Sequence, residues 1–497
     1  MMSLAEFLSA VRPHSQGPTL LDDVPNPIGA ELANNGEFGY VEPKEHELKS
    51  RRRYPRTFGD RLFRREMSYV KYPPSTFTKN MIPHAVDRSY IPFLARNYSG
   101  QFSEDGSFFF TASQDFKVRM FDTSNHDFPW KLYKTVHVEM ARWTVTDASL
   151  SNDNRFIAYS SIAPTVHLAS TSPDDEGGQE ALDFGEGLDN IHRGFGIWSL
   201  RFSADGREIV AGANNCCLYV YDIETKKTIL RLTGHEDEVN AVCFGDESGN
   251  ILYSGSDDQV IKVWDRRSMG YKQEAGVLLG HVEGITYIDS KKDGRYLLSN
   301  GKDQTMKLWD IRKLMSSSEF SGMANRNYSS QFDYRYQRFP RPVGTRHPRD
   351  CSVMTYAGHH VLRTLIRCHF GPASATGSQY VYSGSSNGKV HIWSLDGQVV
   401  QTLNARLQGE PSGPSVRGFN RHQSAAPCVR DASWHPYLPI IATSSWDGFS
   451  NEEGSVMLHR WRDRTGDTLE GEDNAVMQAA SIPDYGETYY DGSYDYF

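Results

Sequence analysis

The chain has 497 residues, of which 38% are hydrophobic and 12% aromatic, enough apolar material for one large or two ordinary folded units. Its formal net charge of −9 and pI near 6.0 argue against a protein that mainly grips nucleic-acid phosphates, because that task usually needs a basic face. It contains no apolar run near the roughly 18 to 20 residues that a membrane-spanning helix needs. We therefore expect neither a membrane segment nor nucleic acid as the main partner.

The first predicted element is a short helix within residues 1–15. Ser3 and Glu6 fit a capping box, and Pro13 ends the run. The apolar side chains of this segment fall on one helical face: Leu4, Phe7, Leu8 and Val11. Because a helix of about ten residues is marginal in water, we expect it to order only by docking on a partner or on the rest of the chain. It lacks a basic leader, so we expect no secretion, and residues 16–75 are predicted to be mostly irregular.

Further along the chain, a unit with a period in the forties recurs. The two sharpest copies, 234–265 and 280–310, each begin Gly-His, pass through short runs rich in Val, Ile, Leu and Tyr, and end in Trp-Asp. Weaker copies can be placed at 98–122, 143–169, 194–222, 358–395 and 421–461. Short apolar runs separated by Asp, Gly and Asn turns at this period are typical of propeller blades. The sequence therefore predicts an all-β fold, a seven-bladed β-propeller over residues 76–462, with an N-terminal extension and long loop insertions.

The distance from Trp309 to Trp393 is twice the repeat period and raises the question of an eighth blade. Residues 313–350 are rich in Ser, Arg, Tyr and Pro and lack an alternating apolar run of strand length. We therefore predict a long insertion between the fifth and sixth blades instead of another blade. Residues 463–497 are acidic and rich in tyrosine, which predicts a mobile tail outside the propeller.

The recurrent polar residues resemble those of the WD-repeat family, in which His, Ser, Asp and Trp form a buried hydrogen-bonded chain. The matching residues are His235, Asp258 and Trp264, with Ser254 or Ser256, in one copy, and His281, Ser299, Asp303 and Trp309 in the next. Buried polar groups of this kind need partners, and their recurrence in successive blades favours packing over a catalytic Ser/His/Asp triad. We therefore predict no catalytic residue and no enzyme activity.

Two other groups of residues invite a metal or redox interpretation. His359 and His360 are adjacent, but the first stands at the usual Gly-His position and no second ligand pair follows at zinc spacing. Six cysteines show no CxxC pairing and mostly lie in apolar, strand-like runs, as expected for reduced, buried thiols. We expect neither a metal nor a cofactor, and no disulfide.

Repeats four and five end in WDRR and WDIR, which places Arg267 and Arg312 two residues beyond Asp265 and Asp310. Each arginine then lies on the same side of its strand end as the aspartate. A guanidinium group offers a planar fork of donors to a partner's carboxylate or backbone oxygen. The alternative is a solvated arginine or a local salt bridge.

The phrases YSGSDDQVIKVWDRR, LLSNGKDQTMKLWDIR, LIRCHF and VRDASWHP, together with the order of short helix, polar spacer and seven repeats, resemble one subfamily. This is the WD-repeat protein 23 type of cullin-4-associated substrate receptor, related to plant LEC14B proteins. The resemblance implies a substrate-recognition subunit of a cullin-4 RING E3 ubiquitin ligase, present in nucleus and cytoplasm. It also implies docking on the adaptor, damaged-DNA-binding protein 1, through both WDxR motifs and the apolar face of the N-terminal helix.

Two other function classes compete with this interpretation. A WD-repeat scaffold in an RNA-processing or chromatin complex would need a basic face, and the arginine-rich stretch 326–349 keeps that alternative open. A propeller hydrolase would need carboxylates or metal ligands that converge on the channel, and no such set is evident in the sequence.

The substrate is not identified by the sequence. The loops that enter the first strand of each blade should line the narrow face of the propeller. Arg367, Arg430 and Asp431 are charged where the sharpest repeats carry neutral residues. We therefore predict that these three residues bind substrate.

Overall fold

The computed structural model describes most of the predicted propeller and a short part of the N-terminal extension. The described residues are 26–38, 78–125, 129–138, 142–175, 178–186, 195–268, 273–323, 328–330, 332–340, 343, 345–405, 427–446 and 453–462, with the backbone of 478–479. The predicted docking residues Leu4, Phe7, Leu8 and Val11 lie outside this part of the chain.

The first strands and blades follow the predicted repeats closely. Helix α1 (Pro27–Asn34) and strand β1 (Ala85–Phe93) precede the first blade. Blade one contains β2 (Asn97–Phe102), β3 (Phe108–Ser113), β4 (Lys117–Asp122) and β5 (Lys131–His137). Blade two contains β6 (Asp147–Leu150), β7 (Phe156–Ser160), β8 (Thr165–Ser170) and β9 (Glu180–Asp183). Blade three contains β10 (Ile197–Phe202), β11 (Glu208–Ala213), β12 (Cys217–Asp222) and β13 (Lys227–Thr233).

The remaining blades continue the series. Blade four contains β14 (Val239–Phe244), β15 (Ile251–Ser256), β16 (Ile261–Asp265) and β17 (Gly276–Leu278). Blade five contains β18 (Ile285–Ser290), β19 (Tyr296–Gly301), β20 (Thr305–Asp310), helix α2 (Ser317–Ser321) and β21 (Met354–Ala357). Blade six contains β22 (Cys368–Phe370), helix α3 (Ala373–Thr376), β23 (Tyr380–Ser383), β24 (Lys389–Ser394) and β25 (Val399–Asn404). Blade seven contains β26 (Cys428–Trp434), β27 (Ile440–Trp446) and β28 (Gly454–Arg460), and β29 (Gln478–Ala479) lies beside β1.

The seven sheets form a closed ring, which confirms the predicted seven-bladed propeller. In blades one to six the strands pair antiparallel in chain order, and at six of the seven junctions the first strands of neighbouring blades contact one another around the central channel. Strand β1 closes the ring by pairing antiparallel with β28, so the outer strand of blade seven comes from before blade one. Closure leaves only short sheet edges, which protects the strands from pairing with other chains.

Apolar side chains fill the space between neighbouring blades, because each sheet is covered on both faces. Trp264 of blade four, for example, is fully buried in a cluster with Val210, Leu218 and Val239 from blades three and four. Continuous burial along β3 and β15 reflects the same two-sided packing.

The long insertion lies inside blade five, between β20 and β21, and not between blades five and six. The predicted boundary was misplaced because the repeat motif ends at Trp-Asp of the third strand, while the fourth strand, Met354–Ala357, is short and carries no motif. The insertion first runs along blade four, where Met315 bridges to Val277 of its outer strand.

The described helices are short, and α1 is the one that the sequence reasoning did not anticipate within residues 16–75. Asn26 caps it by accepting a hydrogen bond from the Ile28 amide, and Pro27 occupies its first turn. The helix lies against blade six so closely that a Cβ on Gly29 would stand 2.5 Å from the Asp396 carbonyl oxygen. Within the described residues, no helix has the length and apolar character to cross a membrane.

Candidate binding faces of the propeller

The third strand of each blade connects the two ends of the propeller and so defines two faces. The turn before β20 contains Lys302, and the strand ends at Asp310. Six residues at about 3.3 Å each separate these ends by roughly 20 Å. We call the end that carries the turns between second and third strands the channel face, and the end that carries Asp265 and Asp310 the arginine face.

In blade four the structure brings the predicted polar chain together. His235 contacts Asp258 through Nδ1 at 2.8 Å and Ser254 through Nε2 at 2.7 Å. Trp264 Nε1 donates to Ser254 Oγ at 2.8 Å. Of the two serines left open by the sequence, Ser254 is the member of the chain, and Ser256 instead donates to the Asp237 carbonyl oxygen.

Blade five repeats the arrangement with the same spacings. His281 lies 2.9 Å from Asp303 and 2.7 Å from Ser299, which accepts from Trp309 Nε1 at 2.8 Å. Burial works to raise the pKa of Asp303, but the charge and hydrogen bond of His281 outweigh it and hold the pKa at about 2. Each of these polar side chains has a hydrogen-bond partner within the same chain of residues. The geometry therefore assigns them a structural role within the blade.

On the arginine face, Arg267 forms a two-point pair with Asp265. Its Nε and one Nη donate to the two carboxylate oxygens at 2.9 Å each. The side chain of Arg267 nevertheless stays 66% exposed. The pair fixes the direction of the guanidinium group while leaving it accessible.

Arg312 forms the corresponding pair in the next blade, with a further partner. Its Nε and one Nη donate to Asp310, the shorter bond being 2.7 Å, and the side chain is 61% exposed. Glu37, just beyond α1, lies 3.3 Å from Arg312 and also pairs with Arg295, which in turn contacts Asp310. The N-terminal extension is therefore tied to the predicted docking site, a link that the sequence spacing gave no signal to find.

The channel face opens into a cavity of about 2860 Å³. As expected, the loops that enter the first strands contribute to its walls, among them Glu238, Thr364 and Arg142. Trp143 is half exposed in this cavity, and its backbone adopts the left-handed region with φ of 69°. That conformation is costly for a bulky residue and must be held by its surroundings.

Two of the three predicted substrate residues are buried in ionic contacts inside the channel. Arg367 pairs with Asp147 at 2.6 Å and with Asp431 at 3.2 Å. Arg430 is also buried, donates to the Tyr98 carbonyl at 2.7 Å, and lines the cavity. Burial and the like charge of Arg367 lower the pKa of Arg430 to about 10. These buried charged side chains therefore have partners inside the protein. Their role in substrate binding stays a prediction.

Part of the insertion lies across the rim of the channel face. Glu283 accepts hydrogen bonds from the hydroxyl groups of Ser329 and Ser330, both at 2.6 Å, and from the Ser330 amide at 2.7 Å. The ring of Tyr334 lies 4.3 Å from the Lys302 ammonium. The insertion thus forms one wall of the cavity, which sequence reasoning missed because the stretch has no strand pattern.

Titratable residues in the described chain do not assemble into a recognisable metal centre. No group of three or more His, Cys, Asp or Glu side chains within it could hold an ion. All six cysteines are free thiols.

Comparison with known proteins places the chain among WD-repeat proteins. The model of the family "WD domain, G-beta repeat" matches residues 95–122, 190–222, 226–265, 272–310 and 413–449. The chain is 44% identical to a LEC14B homolog of Prunus armeniaca over 74% of this chain and 73% of that protein. It is 45% identical to the LEC14B protein of Lithospermum erythrorhizon over 71% and 72% of the two chains. A "DDB1- and CUL4-associated factor 11 homolog" of Caenorhabditis elegans is 33% identical over 71% of this chain and 60% of its own.

Proposed function

Because the chain belongs to the LEC14B family of WD-repeat proteins, we propose that it is the substrate-recognition subunit of a cullin-4 RING ubiquitin ligase, bound through damaged-DNA-binding protein 1. The name of the worm relative, which refers to DDB1 and CUL4, supports the partnership. The chain would have no chemistry of its own. It would hold a protein substrate near the catalytic subunits and so raise its effective concentration there.

The observation that carries this proposal is the pair of exposed arginines on adjacent blades. Arg267 and Arg312 occupy equivalent positions, each held by its own aspartate in a two-point contact. An arginine that is already oriented loses less side-chain freedom when a partner binds. Two such groups at a fixed spacing can define the orientation of a partner on the arginine face.

The position of α1 supports a joint role for the arginines and the predicted N-terminal helix. The Asn26 amide donates to the Asp396 carbonyl at 2.9 Å, and Glu37 reaches Arg312, so residues 26–38 lie on the arginine face. Eleven residues join position 15 to position 26, and such a segment spans at most roughly 35 to 40 Å. Apolar residues within 1–15 can thus reach the surface on which the arginines lie.

The decisive experiment is binding of purified adaptor to four forms of the full protein. These are the intact chain, a form without residues 1–15, Arg267→Ala with Arg312→Ala, and all changes together. We expect weakened binding in each partial form and none in the combined form. Loss of an arginine buried at the interface should cost about 2 to 5 kcal/mol because its partner group is left unpaired.

Arg335→Ala provides the matched control for this experiment. Arg335 is paired with Asp333 at 2.9 Å in the same local pattern and is equally exposed, but it belongs to the rim of the channel face. Its loss should leave adaptor binding unchanged. Full binding by the combined form would mean that neither feature is the dock.

The alternative function, a scaffold in an RNA-processing or chromatin complex, would need an unpaired basic surface. Of the four described arginines within 326–349, two are paired: Arg335 with Asp333, and Arg349 with Glu319 at 2.8 Å. These contacts favour the ligase proposal. Affinity purification of the intact protein separates the two, since adaptor and cullin would support one function and splicing or chromatin factors the other.

We place the protein in both nucleus and cytoplasm as part of the same proposal. The short basic segment 48–56, a candidate nuclear localisation signal, lies outside the described residues. Imaging of a fluorescent fusion, with and without Ala in place of its arginines, tests the placement.

A further inference from the structure

Three aromatic rings from successive blades form a row on the channel face. Tyr98 of blade one lies 6.3 Å from Trp143, which precedes blade two. Trp143 lies 6.2 Å from Trp198 of blade three, with the rings nearly perpendicular at 83°. Trp143 is half exposed and Trp198 half-buried, and both line the cavity. Indole faces open to a cavity can attract a cation through their ring electrons.

Carboxylates continue this row around the ring into blade four. Glu238 stands just before β14, beside Trp198, with Asp237 and Asp257 nearby. Lys302 pairs with Asp257 at 2.7 and 2.8 Å. Of these three carboxylates, Asp257 is the one that pairs with the ammonium group. Burial, Asp257 and Asp237 together raise the pKa of Glu238, so its negative charge is held in an unfavourable setting.

The charges of the cavity are segregated around its rim. Four of the seven cations that line it come from blades one, two, six and seven: Arg96, Arg142, Arg363 and Arg430. Three cations, Lys262, Lys302 and Arg335, lie on the side between blades three and five. All eight lining carboxylates are on that side and outnumber them: Glu236, Asp237, Glu238, Asp257, Asp258, Glu274, Glu283 and Asp333. A ligand that crosses this mouth meets an acidic side bordered by tryptophan, where a positive group is favoured and a negative one is repelled.

We propose that the channel face binds a lysine or arginine side chain of the substrate protein against the adjoining rings of Trp143 and Trp198, with its cation beside the carboxylate of Glu238. This inference rests on the proposed function, since it names the chemistry of the substrate segment that the receptor captures. The aromatic rings would flank the aliphatic stem and the cation, and the carboxylate would neutralise its charge.

The test uses a phage-displayed library of random dodecapeptides, panned on the full chain both alone and mixed with adaptor. Peptides that enrich should share a lysine or arginine at one fixed position. A synthetic copy of an enriched peptide should bind about ten-fold more weakly to Glu238→Gln and to Trp143→Ala. Replacing its basic residue with norleucine or citrulline should weaken binding similarly, with no further loss in Glu238→Gln.

Glu186→Gln is the matched control, because Glu186 is an exposed glutamate in the loop after β9 on the same face but does not line the cavity. Thermal melting of each variant checks that the fold is intact, and Trp143→Phe should retain part of the affinity if Trp143→Ala is unstable. Enriched peptides without a common basic residue, a lack of enrichment, or full binding by Glu238→Gln would overturn the inference.

Adaptor binding, measured on the same samples, separates this inference from the proposed function. If the chain still binds adaptor but the enriched peptides show no preference for a basic residue, the cation subsite alone is contradicted. A basic preference in a chain that does not bind adaptor removes the ligase proposal and leaves the subsite.

Discussion

Blade five is tied by a chain of buried hydrogen bonds, whereas blade two has alanine at the two key positions. Ala163 and Ala169 stand where blade five has Asp303 and Trp309, in the same places relative to the third strand. Blade two instead relies on Asp147 of its first strand, which pairs with Arg201 of blade three and, across the channel, with Arg367 of blade six. The comparison shows that a blade needs a filled core and buried polar groups that all have partners. Hydrogen bonds within a blade and ion pairs between blades can replace one another in this role.

The largest loss of unfolding free energy should come from removing the ion pairs that Asp147 of blade two forms. Asp147→Ala removes the carboxylate that pairs with partly buried Arg201 and one of the two that pair with buried Arg367, and leaving such charges undercompensated costs about 3 to 5 kcal/mol. Asp153→Ala in the same blade is the control, because its pair with Arg155 is exposed and should contribute under about 1 kcal/mol. Denaturant unfolding of both variants measures the difference. Equal stabilities would mean that blade two is held by packing alone.

The loss of folding stability in acid should depend on buried histidines that, unlike His281 of blade five, have no hydrogen-bond partner in the described chain. His391 and His459 are buried, and within the described chain their ring nitrogens have no hydrogen-bond partner. Burial lowers the pKa of each to about 4. The unfolded chain binds protons below pH 6.5 and the folded chain does not. Stability should therefore be constant above pH 6.5 and fall down to pH 4, by up to about 3 kcal/mol for each histidine.

Melting curves of His459→Phe between pH 4 and 8 test this expectation. The variant should lose less stability on acidification than the intact chain, whereas His137→Phe, at an exposed position, should behave like the intact chain. An acid limb unchanged by His459→Phe would contradict the assigned protonation.

A smaller loss should follow from breaking the chain of blade five. Asp303→Ala leaves His281 and the Val282 amide without their shared acceptor, which costs about 1 to 3 kcal/mol. The unfolding free energy of the variant measures this loss. Unchanged stability, combined with loss of a specific catalytic turnover, would contradict the structural role of these residues.

The smallest effect is expected in blade one, where Asp115 occupies the position of Asp303. It pairs with Arg119 of the next strand and is 27% exposed. Buried Arg119 keeps its contacts with Ser113 and the ring of Phe93. Asp115→Ala should therefore cost about 1 kcal/mol in the same unfolding measurement. A loss as large as that of Asp303→Ala would show that exposure does not explain the difference between the two blades.

The sequence predicted the fold well because the motif marks the second and third strands of the sharp blades, where Asp258 and Trp264 recur as Asp303 and Trp309. It could not locate β21 or β1, which carry no motif and are defined by pairing with β20 and β28. The sequence was limited in the same way for contacts on the two faces of the propeller. Spacing placed Arg267 and Arg312 on one side of their strands, but the contact of Glu37 with Arg312 joins residues 275 positions apart, which no local pattern encodes.

The ring closure also determines when the molecule can finish folding. Residues 85–93 leave the ribosome early, yet the strand they pair with ends at residue 460. Until then blade seven has its outer strand β1 but not all three of its inner strands, and the nascent chain carries an open edge that can pair with other chains. Closing so long a loop is entropically costly and slow. A chain whose synthesis stops before β28 would contain all the earlier blades, but its ring would stay open.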